Sequence, residues 1–167
     1  MMAQTNSEIS MDERMQLIEQ LDQARQMMRK VVDQIDPNME IYAGWTIKHL
    51  LAHITGWDDS TISCLEAHIA GDAPSTPAAR GIDYYNSQTV ETRQFLDLDH
   101  VIREWEFTRE RLKELILEMP GDKFEQTLVV AWGSKGTVRE LVDIFSEHEE
   151  EHAVETQEIM AHKNSSR

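Results

Sequence analysis

The chain has 167 residues, enough for one domain whose single core needs no disulfide support. Its 31 acidic and 16 basic residues give a net charge of −15, which repels phosphate backbones and anionic membrane surfaces and excludes nucleic acid and membrane as partners. A lone cysteine, Cys64, has no internal disulfide partner, the N-terminus lacks an apolar leader and no stretch approaches a membrane span, so a soluble, cytoplasmic protein is expected.

Helical periodicity dominates the chain, and almost nothing alternates as a strand does. Residues 1–9 are predicted to form a flexible tail. The first helix is predicted to start at Ser10, whose pairing with Glu13 makes a capping box, and to carry Met15, Ile18, Leu21, Met28, Val31 and Ile35 as far as Pro37. A second helix opens near Thr46, runs through Ile47, Leu50, Leu51, Ile54, Ile62, Leu65 and Ile69, and stops at Gly71, with Gly56 inside it as a position for close packing. Residues 71–81, rich in Gly, Pro, Ser and Thr, read as a long surface connection across the end of a bundle. A short helix over 84–95 follows, then a longer one from an Asp97 cap through Val101, Trp105, Arg109, Leu112, Leu115 and Ile116 to Pro120. Residues 127–132 are β-like, but Gly133 and Gly136 bound them, so an extended loop over the bundle is predicted rather than a sheet. The last helix starts at Thr137, with Glu140 completing a second capping box, and carries Val138, Leu141, Val142, Phe145, His148, His152 and Ile159. Residues 162–167 form a second predicted tail. Four long helices and one short one give an all-α fold, one bundle domain over residues 10–161.

The string His148-Glu149-Glu150-Glu151-His152 sets two imidazoles one turn apart on one helix face. It also satisfies the H-E-x-x-H pattern of zinc proteases. Those enzymes need a third ligand, usually downstream, and here only His162 follows, ten residues on and without a glycine turn, which argues against a protease. At 100° per residue His152 lies about 20° and His148 about 60° from the centre of the apolar face, so both point inward. Two buried imidazoles need partners. A shared metal is one solution; half-exposed rings hydrogen-bonded to neighbouring acids at the bundle end are the other. The second helix repeats the spacing with His49 and His53, at about 145° and 105° from its apolar centre. His53 is therefore the candidate third ligand, giving three nitrogens and an open position of the catalytic type. Glu149 lies about 40° from the apolar centre and is a candidate to orient a ligand histidine or accept a proton. Trp57, Tyr84, Tyr85 and Trp132 are candidates to line a pocket over the metal, against the plainer reading of aromatics as core.

The run Trp45-Thr46-Ile47-Lys48-His49-Leu50-Leu51-Ala52-His53-Ile54-Thr55-Gly56-Trp57, followed by Trp132-Gly133, Thr137-Val138-Arg139-Glu140-Leu141 and His148-Glu149-Glu150-Glu151-His152, resembles the DinB/YfiT-like superfamily. The resemblance implies a four-helix bundle of up-down-down-up order with a long crossover, and a homodimer. It implies a divalent metal, nickel or zinc, on one histidine of the second helix and two of the last, which here are His53, His148 and His152. Activities it implies are transfer of a low-molecular-weight thiol to a small-molecule substrate and thiol-dependent isomerisation. Thiols of this kind carry carboxylates, for which Arg80, Arg93, Arg109 and Lys135 are the docking candidates in an otherwise acidic chain. Tyr84-Tyr85-Asn86 and Gly56-Trp57 also echo a related branch, the ClbS-like self-protection proteins, which often lack the histidine triad. The alternatives are thus a metal-dependent hydrolase of a small molecule, or a non-catalytic binding protein whose metal only staples two helices.

Overall fold

Local signals set most helix boundaries. A computed structural model describes residues 6–165, as helices α1 (Asn6–Val32), α2 (Ile47–Ala70), α3 (Ile82–Glu91), α4 (Leu98–Glu118), the single turn α5 (Gly121–Phe124) and α6 (Val138–Ser165), with two-residue strands β1 (Leu128–Val129) and β2 (Lys135–Gly136). Thr46 stands in extended backbone before α2, and Gly71 ends it at φ 79°, where a side chain would be strained. The Asp97 side chain accepts from the His100 amide at the start of α4. At α6 the Glu140 carboxylate accepts from the Thr137 amide at 2.7 Å, while the Thr137 hydroxyl accepts from the Glu140 amide at 3.2 Å, as the capping box requires.

Several boundaries differ from expectation. Helix α1 already runs from Asn6, so no helix start exists at Ser10 for a capping box, and Glu13 pairs with Arg139 of α6 instead. Residues 6–9 and 162–165, expected in tails, belong to α1 and α6; the remainder of both expected tails lies outside the described residues. Met15 is 52% exposed because the buried stripe of α1 runs Leu17, Leu21, Ala24, Met28 and Val31, and Met15 lies off it. The short helix begins at Ile82 and ends at Glu91. Residues 127–132 contribute to a small antiparallel hairpin, with Leu128 opposite Gly136 and Val129 opposite Lys135. Gly133 at φ 88° turns the chain between the strands, which is why glycines that looked like loop boundaries instead close a hairpin.

Helix α1 packs along α6, α2 along α4 with α3 against it, and α1 also meets α4. Gly56 permits the α2–α3 contact, since a Cβ there would stand 2.2 Å from Thr89 Cγ2. Two apolar clusters form the core. One gathers Leu17, Leu21, Leu65, Leu112, Phe124 and Phe145; the other Met28, Leu50, Leu51, Val101, Trp105 and Ala153. At the level where one gives way to the other, each long helix contributes a buried charge: Arg25 from α1, Asp58 from α2, Arg109 from α4 and Glu149 from α6.

Candidate functional site

His53 Nε2 and His152 Nε2 stand 3.1 and 3.0 Å from His148 Nε2, so three ring nitrogens from α2 and α6 converge on one point. A neutral imidazole nitrogen offers either one N–H or one lone pair, so His148 Nε2 cannot pair well with both neighbours at once. Charging the rings does not relieve this. Burial and the neighbouring imidazoles push His53 down to about 3, burial and His148 push His152 down to about 4, and burial lowers His148 against the pull of Glu149 and Glu151. Three lone pairs held close together suit a cation. Nitrogens bound to one ion at about 2.0–2.1 Å sit roughly 3–3.4 Å apart, and both measured separations fall within that range. Neutral imidazoles also suit zinc and nickel by their chemistry.

The turn before α2 orients the cluster from one side. Trp45 N–H donates to the Tyr42 carbonyl at 2.8 Å, with Gly44 at φ 77° completing the turn, and this holds both rings over the histidines. The Tyr42 hydroxyl donates to Glu155 and lies 2.9 Å from His152 Nδ1. A phenol has one proton, and with that proton directed at Glu155 the His152 Nδ1 must be the donor, which leaves the Nε2 lone pair facing the cluster. Burial, reinforced by Glu155, raises the Tyr42 pKa, so the phenol stays protonated. The Trp45 ring packs 5.5 Å from His53, whose buried Nδ1 has no protein partner among the described residues.

Behind the histidines lies the layer of four buried charges. Asp58 accepts from Arg25 at 2.9 Å and from two nitrogens of Arg109 at 3.0 and 3.2 Å. Glu149 is completely buried, 2.9 Å from both Arg25 and Arg109, and accepts from Trp105 Nε1 at 3.1 Å. Burial alone would lower the Arg109 pKa, but Asp58 and Glu149 outweigh it and hold the guanidinium above its ordinary value. The carboxylate of Glu149 is thus engaged by two arginines and an indole and is not part of the cavity lining.

The histidines open into a cavity of about 590 Å³ lined mostly by aromatic and aliphatic side chains. Of the expected pocket residues, Trp57 and Trp132 line it. Tyr85 stands behind Trp57 at 4.8 Å and donates to the Gly56 carbonyl, and Tyr84 is exposed outside the lining. Sequence reasoning passed over Tyr42, Trp45, Ile82, Asn86, Ile144 and Phe145, all of which line the cavity. Of the cations expected to dock an anion, Arg93 is paired with Asp59 and Glu104 and Arg109 with the buried layer, while Arg80 and Lys135 are not in the cavity lining. His49 is not a ligand, because its Nδ1 accepts from the Thr46 amide at 3.0 Å and caps α2. His68 sits 2.9 Å from the Lys123 carbonyl and His100 3.5 Å from Glu104. Burial raises the Cys64 thiol to about 11, which makes it an inert core residue.

A family model described as the DinB superfamily matches residues 20–155, spanning the three histidines, all of α2 and the part of α6 that carries His148 and His152. The chain belongs to the DinB superfamily. Its fold matches a crystal structure titled mycothiol-dependent maleylpyruvate isomerase with a TM-score of 0.71 at 16% identity, covering 92% of this chain and 63% of that one. A histidine-to-alanine mutant of the same enzyme gives a TM-score of 0.70 at 17% identity with the same coverage. This DinB chain therefore spans less than two thirds of the length of those structures, and at such identity the likeness is one of fold. No curated protein matches it significantly. No helix among the described residues is long and apolar enough to cross a membrane.

Proposed function

We propose that the protein is a metal-dependent transferase that moves a low-molecular-weight thiol onto a small electrophile, with His53, His148 and His152 holding a divalent ion, nickel or zinc. The observation that carries this reading is the convergence of three neutral imidazole nitrogens at the floor of an open, apolar cavity. An ion there supplies Lewis acidity that lowers the pKa of a bound thiol or water. The chain does the rest. Tyr42 and Glu155 hold His152 in the ligating tautomer, the four-charge layer anchors the segment of α6 that carries His148, and the indoles exclude bulk water around the electrophile. Glu149 is assigned a positioning role, since its carboxylate faces arginines rather than the cavity. The thiol dependence named for the similar structures supports the choice of nucleophile.

One observation favours a second reading. No lysine or arginine among the described residues lines the cavity, so a carboxylated thiol finds no cation there to dock against, and water as nucleophile would make the protein a hydrolase. The up-down-down-up order of a four-helix bundle belongs to the same proposal; the pairing of α1 with α6 and of α2 with α4, and the long 71–81 connection, support it. So do a homodimer and a cytoplasmic location, the first testable by sedimentation.

Metal content of untagged protein by mass spectrometry is the decisive test, beside His53→Ala, His148→Ala and His152→Ala, with His49→Ala as control. Near-stoichiometric metal that is lost in the three variants and kept in the control is expected. Turnover of an electrophile that requires both metal and thiol then separates transferase from hydrolase. A wild-type protein that neither contains metal nor takes up zinc or nickel would sink the reading.

A further inference from the structure

Among the described residues, the cavity's lining carries no lysine, arginine, aspartate or glutamate. Its walls are the indoles of Trp45, Trp57 and Trp132, the Phe145 ring, and Ile82 and Ile144, which are 54% and 43% exposed at the mouth. The Trp57 and Trp132 ring centres lie 6.1 Å apart, and Phe145 is 6.0 Å from Trp57, so these rings form one continuous apolar wall. The polar groups are few and mostly used. Tyr42 is bound to Glu155 and His152. Asn86 Oδ1 accepts from Trp57 Nε1 at 2.9 Å, and because an indole N–H can only donate, this contact settles which way the amide points. That leaves the amide nitrogen as the free donor of a residue that lines the cavity.

We propose that this cavity selects an uncharged electrophile with an aromatic or alkyl body and a neutral acceptor oxygen, and discriminates against anionic substrates. The inference rests on the reading of the cavity as the substrate site and adds the substrate class. A volume of about 590 Å³ holds a molecule of one to a few rings. The apolar body stacks against the indoles and Phe145, and the acceptor oxygen takes the Asn86 N–H. A carboxylate on such a molecule gives up its hydration with no side-chain cation in the described lining to replace it: Arg93 and Arg109 are already paired with Asp58, Asp59, Glu104 and Glu149, and Lys135 lies outside the lining, in the adjoining depression beyond Trp132 and Ile144. The net charge of −15 opposes the same anion at long range.

Two ligands of one shape and different charge test this, naphthyl methyl ketone and naphthoate. Each is titrated calorimetrically into protein stripped of metal by chelation and dialysis, so that no ion can coordinate the carboxylate; the ketone is titrated into the protein as purified as well. Three of the chain's four tryptophans line the cavity, so indole emission should change in parallel with the heat. The ketone is expected to bind at least about tenfold more tightly than naphthoate. Ile144→Lys, at an exposed rim position, should shift the ketone-to-naphthoate affinity ratio by most of that tenfold in favour of naphthoate. Asn86→Asp keeps an acceptor for Trp57 but removes the donor, and should weaken the ketone severalfold. Equal or tighter naphthoate binding to the stripped protein, or no saturable binding of the ketone, would overturn the inference. Ketone binding by a protein that never holds metal would remove the metal reading and leave the substrate class standing.

Discussion

Replacing Glu149 by glutamine separates a structural role from a catalytic one. The wild-type layer contains two arginines and two carboxylates, each at most 1% exposed at the side chain, and its charges cancel. Glu149→Gln leaves Arg25 and Arg109 sharing Asp58, with one positive charge in excess inside the core, while the amide oxygen can still accept from Trp105 Nε1. Removing one partner of a buried ion pair costs about 3–5 kcal/mol. For a chain of this size about 2–4 °C of Tm follows each kcal/mol, so a fall of roughly 6–20 °C is expected. Urea denaturation followed by circular dichroism gives the free energy directly, with chelator in every sample so that metal binding does not contribute. Arg25→Met combined with Glu149→Leu restores neutrality, and its loss should fall well short of the sum of the single losses. A Glu149→Gln variant that loses under about 1 kcal/mol yet abolishes turnover would refute the structural role and make Glu149 a proton acceptor after all.

Other outcomes follow from the site. Tyr42→Phe removes the partner of His152 Nδ1 and should weaken zinc binding about 10–100-fold in a competition with a chelator, with a change in folding stability near 1 kcal/mol. His53 and His152 titrate near 3 and 4 when folded but near 6.5 when unfolded, so the unfolded chain takes up more protons between those values and stability is lost as pH falls through that window. From pH 7 to 5 the metal-free protein should lose up to about 2 kcal/mol for each of these rings, and His53→Ala should flatten the profile; an unchanged profile would mean that the rings are hydrated. Gly56→Ala places a methyl group 2.2 Å from Thr89 Cγ2, so α3 must shift, at a cost of about 1–3 kcal/mol measured by urea denaturation.

Features governed by neighbours in the sequence were readable without coordinates. Thr46, Gly71, Asp97 and the Thr137–Glu140 pair act within one turn of their own helices, and each stands where its residue type implied. The histidine triad was readable because i, i+4 spacing and angular position on two helices are also local properties. Partners scattered over the chain were not. Arg25 pairs with residues 33 and 124 positions away, and nothing in the flanking sequence names Asp58 or Glu149. A signal did exist: Arg25 and Arg109 both interrupt apolar stripes, between Leu21 and Met28 and between Trp105 and Leu112, and an arginine on a buried face requires a buried carboxylate. Part of the cavity wall escaped for a different reason, since Tyr42 and Trp45 flank a turn whose geometry depends on Gly44 rather than on helical period.

The layer of four charges also constrains how such a chain can diverge. Positions 25, 58, 109 and 149 lie on four different helices, yet any single replacement that alters charge strands a partner in the core. Drift at one of them therefore has to wait for a compensating change at another. Among descendants of a common ancestor these four sites should be inherited as a set or exchanged in neutral pairs, while the cavity wall, free of that bond, is left to vary with the molecule it receives.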